Sequence, residues 1–355
     1  MTQRQLGVAV LGYAHSHGIH WAEAFRDDDR VDFVGTWDHD VKRGTTISER
    51  LAVPYHPDLD KLLSDPRVQA VAITSEHALH PEEIELAARH GHAILCEKPL
   101  AVSHDGVDRV AKAVADSGVR FMQAFHMRLD PAHQEARRLL QSGVVGTISS
   151  AKLRHSHDLG LIGWPGIGDE SWYFDTARSG GGAGFDELIH AADWMRWALG
   201  EPVSVVAERS SLLHRGDVED LIQAIFRLRS GALVSIESSW TATSGIVTHE
   251  ILGLEGSLLQ IRTDISANRS PDLIGSAILT RAADRNAEWQ RSEVTGVMNA
   301  KPHHRAAREF VRCIVEDAPF SAGVDDGIAG VRMVLAAYQA ADTGRRVELA
   351  ESFAG

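Results

Sequence analysis

Cysteine is scarce. Cys96 and Cys313 are the only two in 355 residues, and two isolated thiols point to a reducing compartment with no disulfide framework. No apolar run is long enough to cross a bilayer. Met1-Thr2-Gln3-Arg4-Gln5 leads straight into an apolar strand with no secretory h-region, so the expected location is the cytoplasm. Positive charge is also in short supply: 36 Lys and Arg against 49 Asp and Glu leave a formal net charge of −13. That balance argues against nucleic acid or an anionic membrane surface as partner and favours a small-molecule ligand. No internal repeat and no low-complexity linker appears.

What is present reads as two domains, 1–125 and 126–355, since the chain is too long for one typical core. In the first third, continuous apolar runs alternate with amphipathic helical stretches. Strands are expected at Leu6–Leu11, Val31–Trp37, Val68–Thr74, from Ala93 and at Val119–Phe125. Helices are expected through Trp21–Phe25, over Pro81–His90 and over about Val107–Ala115. Such alternation implies a parallel sheet covered on both faces, with right-handed crossovers: a Rossmann-type domain. The rest is strand-rich, with runs at Val203–Glu208, Leu221–Leu228, Ala232–Trp240, Thr248–Leu254, Leu258–Arg262 and Ser276–Thr280. Helices around Ala306–Val315 and Ile328–Ala341 close the chain.

The turn after the first strand reads Gly12-Tyr13-Ala14-His15-Ser16-His17-Gly18. Only the first glycine of G-x-G-x-x-G stands; Ala14 and His17 occupy the other two positions. Asp38 at the end of the second strand is placed to bond a ribose 2′-hydroxyl and to repel a 2′-phosphate. This favours NAD over NADP, although Lys42 and Arg43 lie just downstream. A plain helix cap is an equally available role for Asp38.

Two further motifs stand out. Ala93-Ile94-Leu95-Cys96 ends abruptly in Glu97-Lys98-Pro99, which puts a lysine where a buried strand runs out and where open α/β sheets keep ligands; an ordinary charged turn is the alternative. Gly180-Gly181-Gly182 leads through Asp186 to His190 on a helix that ends at Gly200-Glu201-Pro202. Asp186 and His190, four apart, share one helical face, where they could orient a hydroxyl and take its proton. A helix cap and a structural histidine are the competing readings.

Together these motifs resemble the glucose–fructose oxidoreductase/inositol dehydrogenase/rhizopine-catabolism family of NAD(P)-dependent sugar and polyol oxidoreductases. Glu97-Lys98-Pro99 corresponds to its E-K-P motif, and Gly180-Gly181-Gly182 with Asp186, His190 and Asp193 to its G-G-G…D-x-x-x-H-x-x-D motif. His80, Phe125-His126-Met127-Arg128 with Pro131, Val218-Glu219-Asp220 and Gly253 to Ser257 match further signatures. The resemblance implies an α/β fold: an N-terminal Rossmann dinucleotide-binding domain and a C-terminal α+β domain with an open, mostly antiparallel sheet.

It also implies hydride transfer between NAD and a sugar-like carbinol or carbonyl carbon. His190 would be the general base or acid, Lys98 would bond the reacting oxygen, and Asp186 would orient the substrate. Cofactor contacts are implied at Gly12, Ala14, His15, His17, Asp38, Thr74, Ser75, His77, Glu97, Lys98 and His126. A cis Lys98-Pro99 bond and a homodimer or homotetramer, assembled through the exposed sheet face, are implied as well.

The chain departs from the pattern where Thr74-Ser75-Glu76-His77 replaces Thr-Pro-Asn and where His126 replaces asparagine. His15, His17, His77, His126, His155, His157 and His190 are expected to crowd one cleft. His15-x-His17 and His155-x-His157 have ligand spacing, but a polar sugar site also collects imidazoles, and no metal is expected. Leu159–Ser179 is expected to line or lid the site, and His303 and His304 to lie at the surface or an interface. Two other activities fit the family: glycoside cleavage through transient oxidation, and redox-silent sugar sensing.

Overall fold

The computed structural model describes residues 5–164, 170–243, 246–263, 276–292, 294 and 302–349. The chain forms two units. The first comprises Met1–His126, Trp164–Gly180 and Ala300–Val331; the second comprises Met127–Gly163, Gly181–Asn299 and Arg332–Gly355.

The first unit opens with β1 (Leu6–Leu11), α1 (His17–Arg26), β2 (Val31–Trp37), α2 (Val41–Leu51), α3 (Leu59–Leu63) and β3 (Ala70–Ile73). It continues with α4 (His80–Arg89), β4 (Ala93–Cys96), α5 (His104–Ser117) and β5 (Phe121–Gln123). The five strands pair in the order β2-β1-β3-β4-β5, and every pairing is parallel. Every residue of β1 and β3 is buried, as continuous apolar strands require when helices cover both faces. Parallel strands end at one edge. Gly12, Asp38, Thr74 and Glu97 are therefore the first residues beyond β1, β2, β3 and β4 along that edge. The chain reverses its winding between β1 and β3, which makes the loops after these two strands the ligand crevice of a doubly wound sheet.

In the second unit α6 (Pro131–Gln141) precedes β6 (Ile148–Ser156) and the one-turn α7 (Leu159–Ile162). The one-turn α8 (Thr176–Ser179) belongs to the first unit. The chain then runs through α9 (Ile189–Leu199), β7 (Pro202–Ser210), β8 (Leu221–Leu228), β9 (Leu233–Ser239), β10 (Ile246–Gly253), β11 (Gly256–Thr263), β12 (Ser276–Ala282) and β13 (Gln290–Ser292). After α10 (Pro302–Val315), in the first unit, come α11 (Val324–Thr343) and β14 (Val347–Glu348). The nine strands run β13-β12-β11-β10-β6-β9-β8-β7-β14. Only β6 and β9 pair in parallel, so the expected mostly antiparallel sheet is present.

Along β8, Ile222, Ala224, Phe226 and Leu228 are buried while Gln223, Ile225 and Arg227 are exposed, the alternation of a sheet with one covered face. His304 is buried. Of the two expected places this excludes the surface: α10 packs in the first unit, where the His304 ring lies 6.1 Å from that of His20.

Candidate active site

In the first unit the loops after β1 and β3 are fastened together. Thr74 donates its hydroxyl to Gly12 O at 2.5 Å, and the His15 amide donates to Thr74 O at 3.0 Å. Gly12 sits at φ +78°, where a Cβ would lie 2.6 Å from Ser75, so a side chain here would meet both strain and a clash. Gly18 is equally constrained: its Cβ would fall 2.2 Å from the Thr74 hydroxyl. The chain thus turns tightly from β1 into α1, and Ser16 keeps its hydroxyl off the first-turn amides. A strand, a left-handed glycine and a helix N-terminus form the frame that accepts a diphosphate. Ala14 adds one methyl group to that frame. Thr74 and Ser75 act here as builders of the loop, since the Ser75 hydroxyl bonds the Glu83 carboxyl.

Asp38 follows β2 as the sequence implies, but its carboxylate is already engaged. Oδ2 accepts from the Tyr13 amide at 2.8 Å and from Arg43 Nε at 2.8 Å. Oδ1 accepts from the Asp40 amide at 2.8 Å and from Arg43 Nη2 at 2.7 Å. Arg43, noted in the sequence only as a nearby positive charge, closes the site around Asp38.

Glu97 and Lys98 follow β4, joined to Pro99 by the expected cis peptide. Both are buried, Lys98 at 2% exposure. His80 holds this turn to the loop after β3, its ring nitrogens lying 2.7 Å from Pro99 O and 3.2 Å from Ser75 O. Burial pushes the His80 pKa down, against the two carbonyls and Glu97. Glu97 Oε2 lies 3.1 Å from His17 Nδ1, which ties the Glu97-Lys98-Pro99 turn to the loop after β1.

Four of the crowded histidines form one group in this unit. The His15 ring lies 4.2 Å from that of His17 and 6.2 Å from that of His77, and the rings of His17 and His126 are 5.7 Å apart. Trp172 and Tyr173 stack at 3.8 Å beside His77, whose Nδ1 contacts Ser179 O at 2.9 Å. Arg178 pairs with Glu76 through two bonds of 2.8 and 2.7 Å. Burial raises the Glu76 pKa, yet Arg178 and His39 outweigh it and hold the carboxyl at about 2. The Trp172–Ser179 part of the expected lining segment therefore packs on the loop after β3; residues 165–169 lie outside the described residues.

In the second unit Asp186 lies on a single wide helical turn, Gly184–Leu188, of the π type that recurs at functional sites. His190 follows in the first turn of α9. Both are 4% exposed. Asp186 Oδ2 accepts from Trp240 Nε1 at 2.8 Å and lies 3.0 Å from His157 Nε2. The parallel register of β6 and β9, with Ser156 opposite Ser239, brings His157 and Trp240 side by side. No local sequence signal marks that pairing.

The glycines before Asp186 sit against protein neighbours. A Cβ on Gly182 would fall 1.7 Å from Glu219 O, and one on Gly184 would fall 2.5 Å from the Tyr338 ring. The Glu219 carboxylate takes the amides of Gly182 and Gly184 at 3.2 and 2.8 Å, and the Tyr338 hydroxyl at 2.6 Å. These glycines admit protein neighbours and lock the turn that carries Asp186. Arg128 and Asp193, from two separate sequence motifs, form a buried pair of 2.9 and 2.5 Å. His155 belongs to the second unit. It lies in a buried chain of the second unit, 2.6 Å from His249, which continues through Gln260 to His133.

The GFO/IDH/MocA model, described as an oxidoreductase family with an NAD-binding Rossmann fold, matches residues 6–125, and the GFO/IDH/MocA C-terminal domain model matches residues 133–259. A 1,5-anhydro-D-fructose reductase of Ensifer adhaerens is 28% identical over 293 residues, 82% of this chain and 83% of the relative. A 2,7-anhydro-N-acetylneuraminate hydratase of Escherichia coli (strain K12) is 28% identical over 228 residues, 62% and 59% of the two chains. Among solved structures, GenD2 from gentamicin A biosynthesis in complex with NAD superposes with a TM-score of 0.80 at 27% identity, covering 98% of this chain and 97% of that one.

Proposed function

The chain belongs to the GFO/IDH/MocA family of oxidoreductases, and on that premise we propose that it transfers a hydride between NAD and a carbinol or carbonyl carbon of a sugar, polyol or glycoside. The observation that carries this reading is the 3.1 Å contact between Glu97 and His17. Within one unit it joins the lysine turn to the loop framed for a dinucleotide diphosphate.

The Gly12–Gly18 loop and the start of α1 would hold the diphosphate, and His15, His17, His77, Glu97 and His126 would surround the rest of the cofactor. NAD, when bound, supplies a hydride acceptor or donor at the nicotinamide ring. The remaining work falls to side chains. His190 takes the proton of the reacting hydroxyl during oxidation and returns it during reduction. Lys98, sequestered from water, donates to the reacting oxygen and stabilises the alkoxide charge that develops on it. Asp186, with Oδ2 held by Trp240 and His157, binds a neighbouring substrate hydroxyl and so fixes which carbon reacts.

We also assign self-association to the open face of the second unit's sheet, as a homodimer or homotetramer. Val206, Ile225 and Leu233 stand exposed on that unit's strands, and light scattering of the purified chain tests the assignment. The cytoplasm is the proposed location, because Cys96 and Cys313 are both buried free thiols. NADH formation across a panel of polyols, aldoses and glycosides tests the function. Absence of NADH binding together with absence of turnover on the whole panel would overturn it. Tightly held cofactor with product formed and no net NADH would redirect it to transient oxidation, the chemistry that fits the hydratase relative.

A further inference from the structure

We propose that His15, His17 and Glu97, which the oxidoreductase reading places around the cofactor, also form a binding site for a divalent first-row transition-metal ion. One nitrogen of each imidazole and one Glu97 oxygen all lie within 4.8 Å of one another. The closest pair, His17 Nδ1 and Glu97 Oε2, is 3.1 Å apart. Two ligands sharing one metal at bonds of about 2.0–2.2 Å sit roughly 3.0–3.4 Å apart, so this pair already has the required separation. His15 needs a side-chain adjustment of about an ångström or so to complete the set. Coordination through its Nδ1 would replace the local 3.2 Å bond that this atom accepts from the His17 amide.

Two imidazoles with one carboxylate are a donor set for zinc, iron, cobalt or manganese rather than for calcium or magnesium. The scaffold is already fixed. His15 and His17 flank the start of α1, and their loop is fastened to Thr74. Glu97 is the first residue beyond β4, and its other oxygen, Oε1, accepts the Lys98 amide at 3.1 Å. Burial strengthens the case. Glu97 is 0% exposed and His15 4%, and a carboxylate withdrawn from water is stabilised by a cation within reach. The spacing His15-x-His17 alone does not separate a metal site from a polar pocket; the third ligand, brought from 80 residues away, does. Two other clusters of this kind, His20–Glu23–His304 and His157–Asp186–Glu187, carry less. The His20 side chain is 39% exposed, and Asp186 Oδ2 is already held by Trp240.

The test uses the full chain, treated with chelator and then titrated with zinc or cobalt chloride by calorimetry and visible absorption. Neither sugar nor nucleotide is present, so failure here is separate from failure of the oxidoreductase reading. One equivalent of zinc should bind, and cobalt should give d–d bands. His15→Ala and His17→Ala should each weaken zinc binding by more than about tenfold and abolish the bands. The His17 side chain is 14% exposed, so His17→Ala carries the test if Glu97→Gln does not fold, with circular dichroism as the control. Substoichiometric binding to the wild type overturns the proposal. So does binding that survives both histidine substitutions, or binding that is lost instead in His157→Ala or His304→Ala.

Discussion

Arg43 grips Asp38 through two bonds, Nε to Oδ2 at 2.8 Å and Nη2 to Oδ1 at 2.7 Å, with both side chains almost wholly out of water. The backbone amides of Tyr13 and Asp40 fill the remaining acceptor positions. An acidic residue at this strand end does not simply wait for a ribose. It organises the cofactor loop and the start of α2 around one shared charge. Removing Arg43 would leave a desolvated carboxylate beside two neutral donors. Arg43→Met should therefore destabilise the chain by about 3 kcal/mol, read as a lowered urea midpoint. Asp38→Asn in the same chain should recover part of that loss, because the double variant buries no charge.

The proposed chemistry divides between groups that move or stabilise charge and groups that hold nucleotide. Lys98→Met and His190→Ala should each cut kcat by about 10²–10⁴-fold, while NADH affinity, measured by fluorescence titration, stays within about threefold. Normal rates in both variants would remove these residues from the mechanism.

Much of this architecture is legible in the sequence where one physical signal dominates. Val31–Trp37 and Leu221–Leu228 are strands with the expected bounds, the first rich in β-branched and aromatic residues and the second with every other residue buried. The Glu97-Lys98-Pro99 turn stands where an apolar run stops. Elements with thin apolar stripes are hidden: α2 buries only Ile47 and Leu51 among its large apolar residues, and β6 reads Ile-Ser-Ser-Ala-Lys-Leu-Arg-His-Ser. Partnerships set by strand register are hidden too. Asp186 meets Trp240 and His157 only because β6 and β9 pair in parallel, and Glu97 meets His17 only because β1 and β4 end on one edge.

That register-dependent support of Asp186 has a kinetic consequence. Trp240→Phe keeps an aromatic side chain, smaller than the indole, and removes the donor to Oδ2. A hydrogen bond to a charged acceptor contributes about 1.5 kcal/mol or more, so kcat/KM should fall by roughly tenfold. Because Asp186 is read as orienting the substrate rather than moving the proton, the loss should appear mainly in KM and leave the pH profile of kcat in place.

Glu83 gives a pH signature that is independent of activity. Burial pushes its carboxyl up to about 8, while Ser75 opposes the shift and Asp38, Glu82 and Glu76 reinforce it. Its unfolded pKa is near 4.5, so between these values the folded chain keeps a proton that the unfolded chain has released. The folded state binds more protons, and stability falls as pH rises, by up to about 1.4 kcal/mol per pH unit. His80 has the opposite sign: burial lowers its pKa from 6.5, so it adds stability as pH rises towards that value. Above pH 6.5 that opposition fades over about one pH unit, and it is common to the wild type and a Glu83 variant. Glu83→Gln keeps a neutral partner for Ser75 and cannot ionise. Urea unfolding of both chains at pH 6.5, 7 and 7.5 should show the wild type losing stability relative to the variant by about 1 kcal/mol across that interval. Parallel curves would mean that Glu83 is ionised in the folded chain at neutral pH.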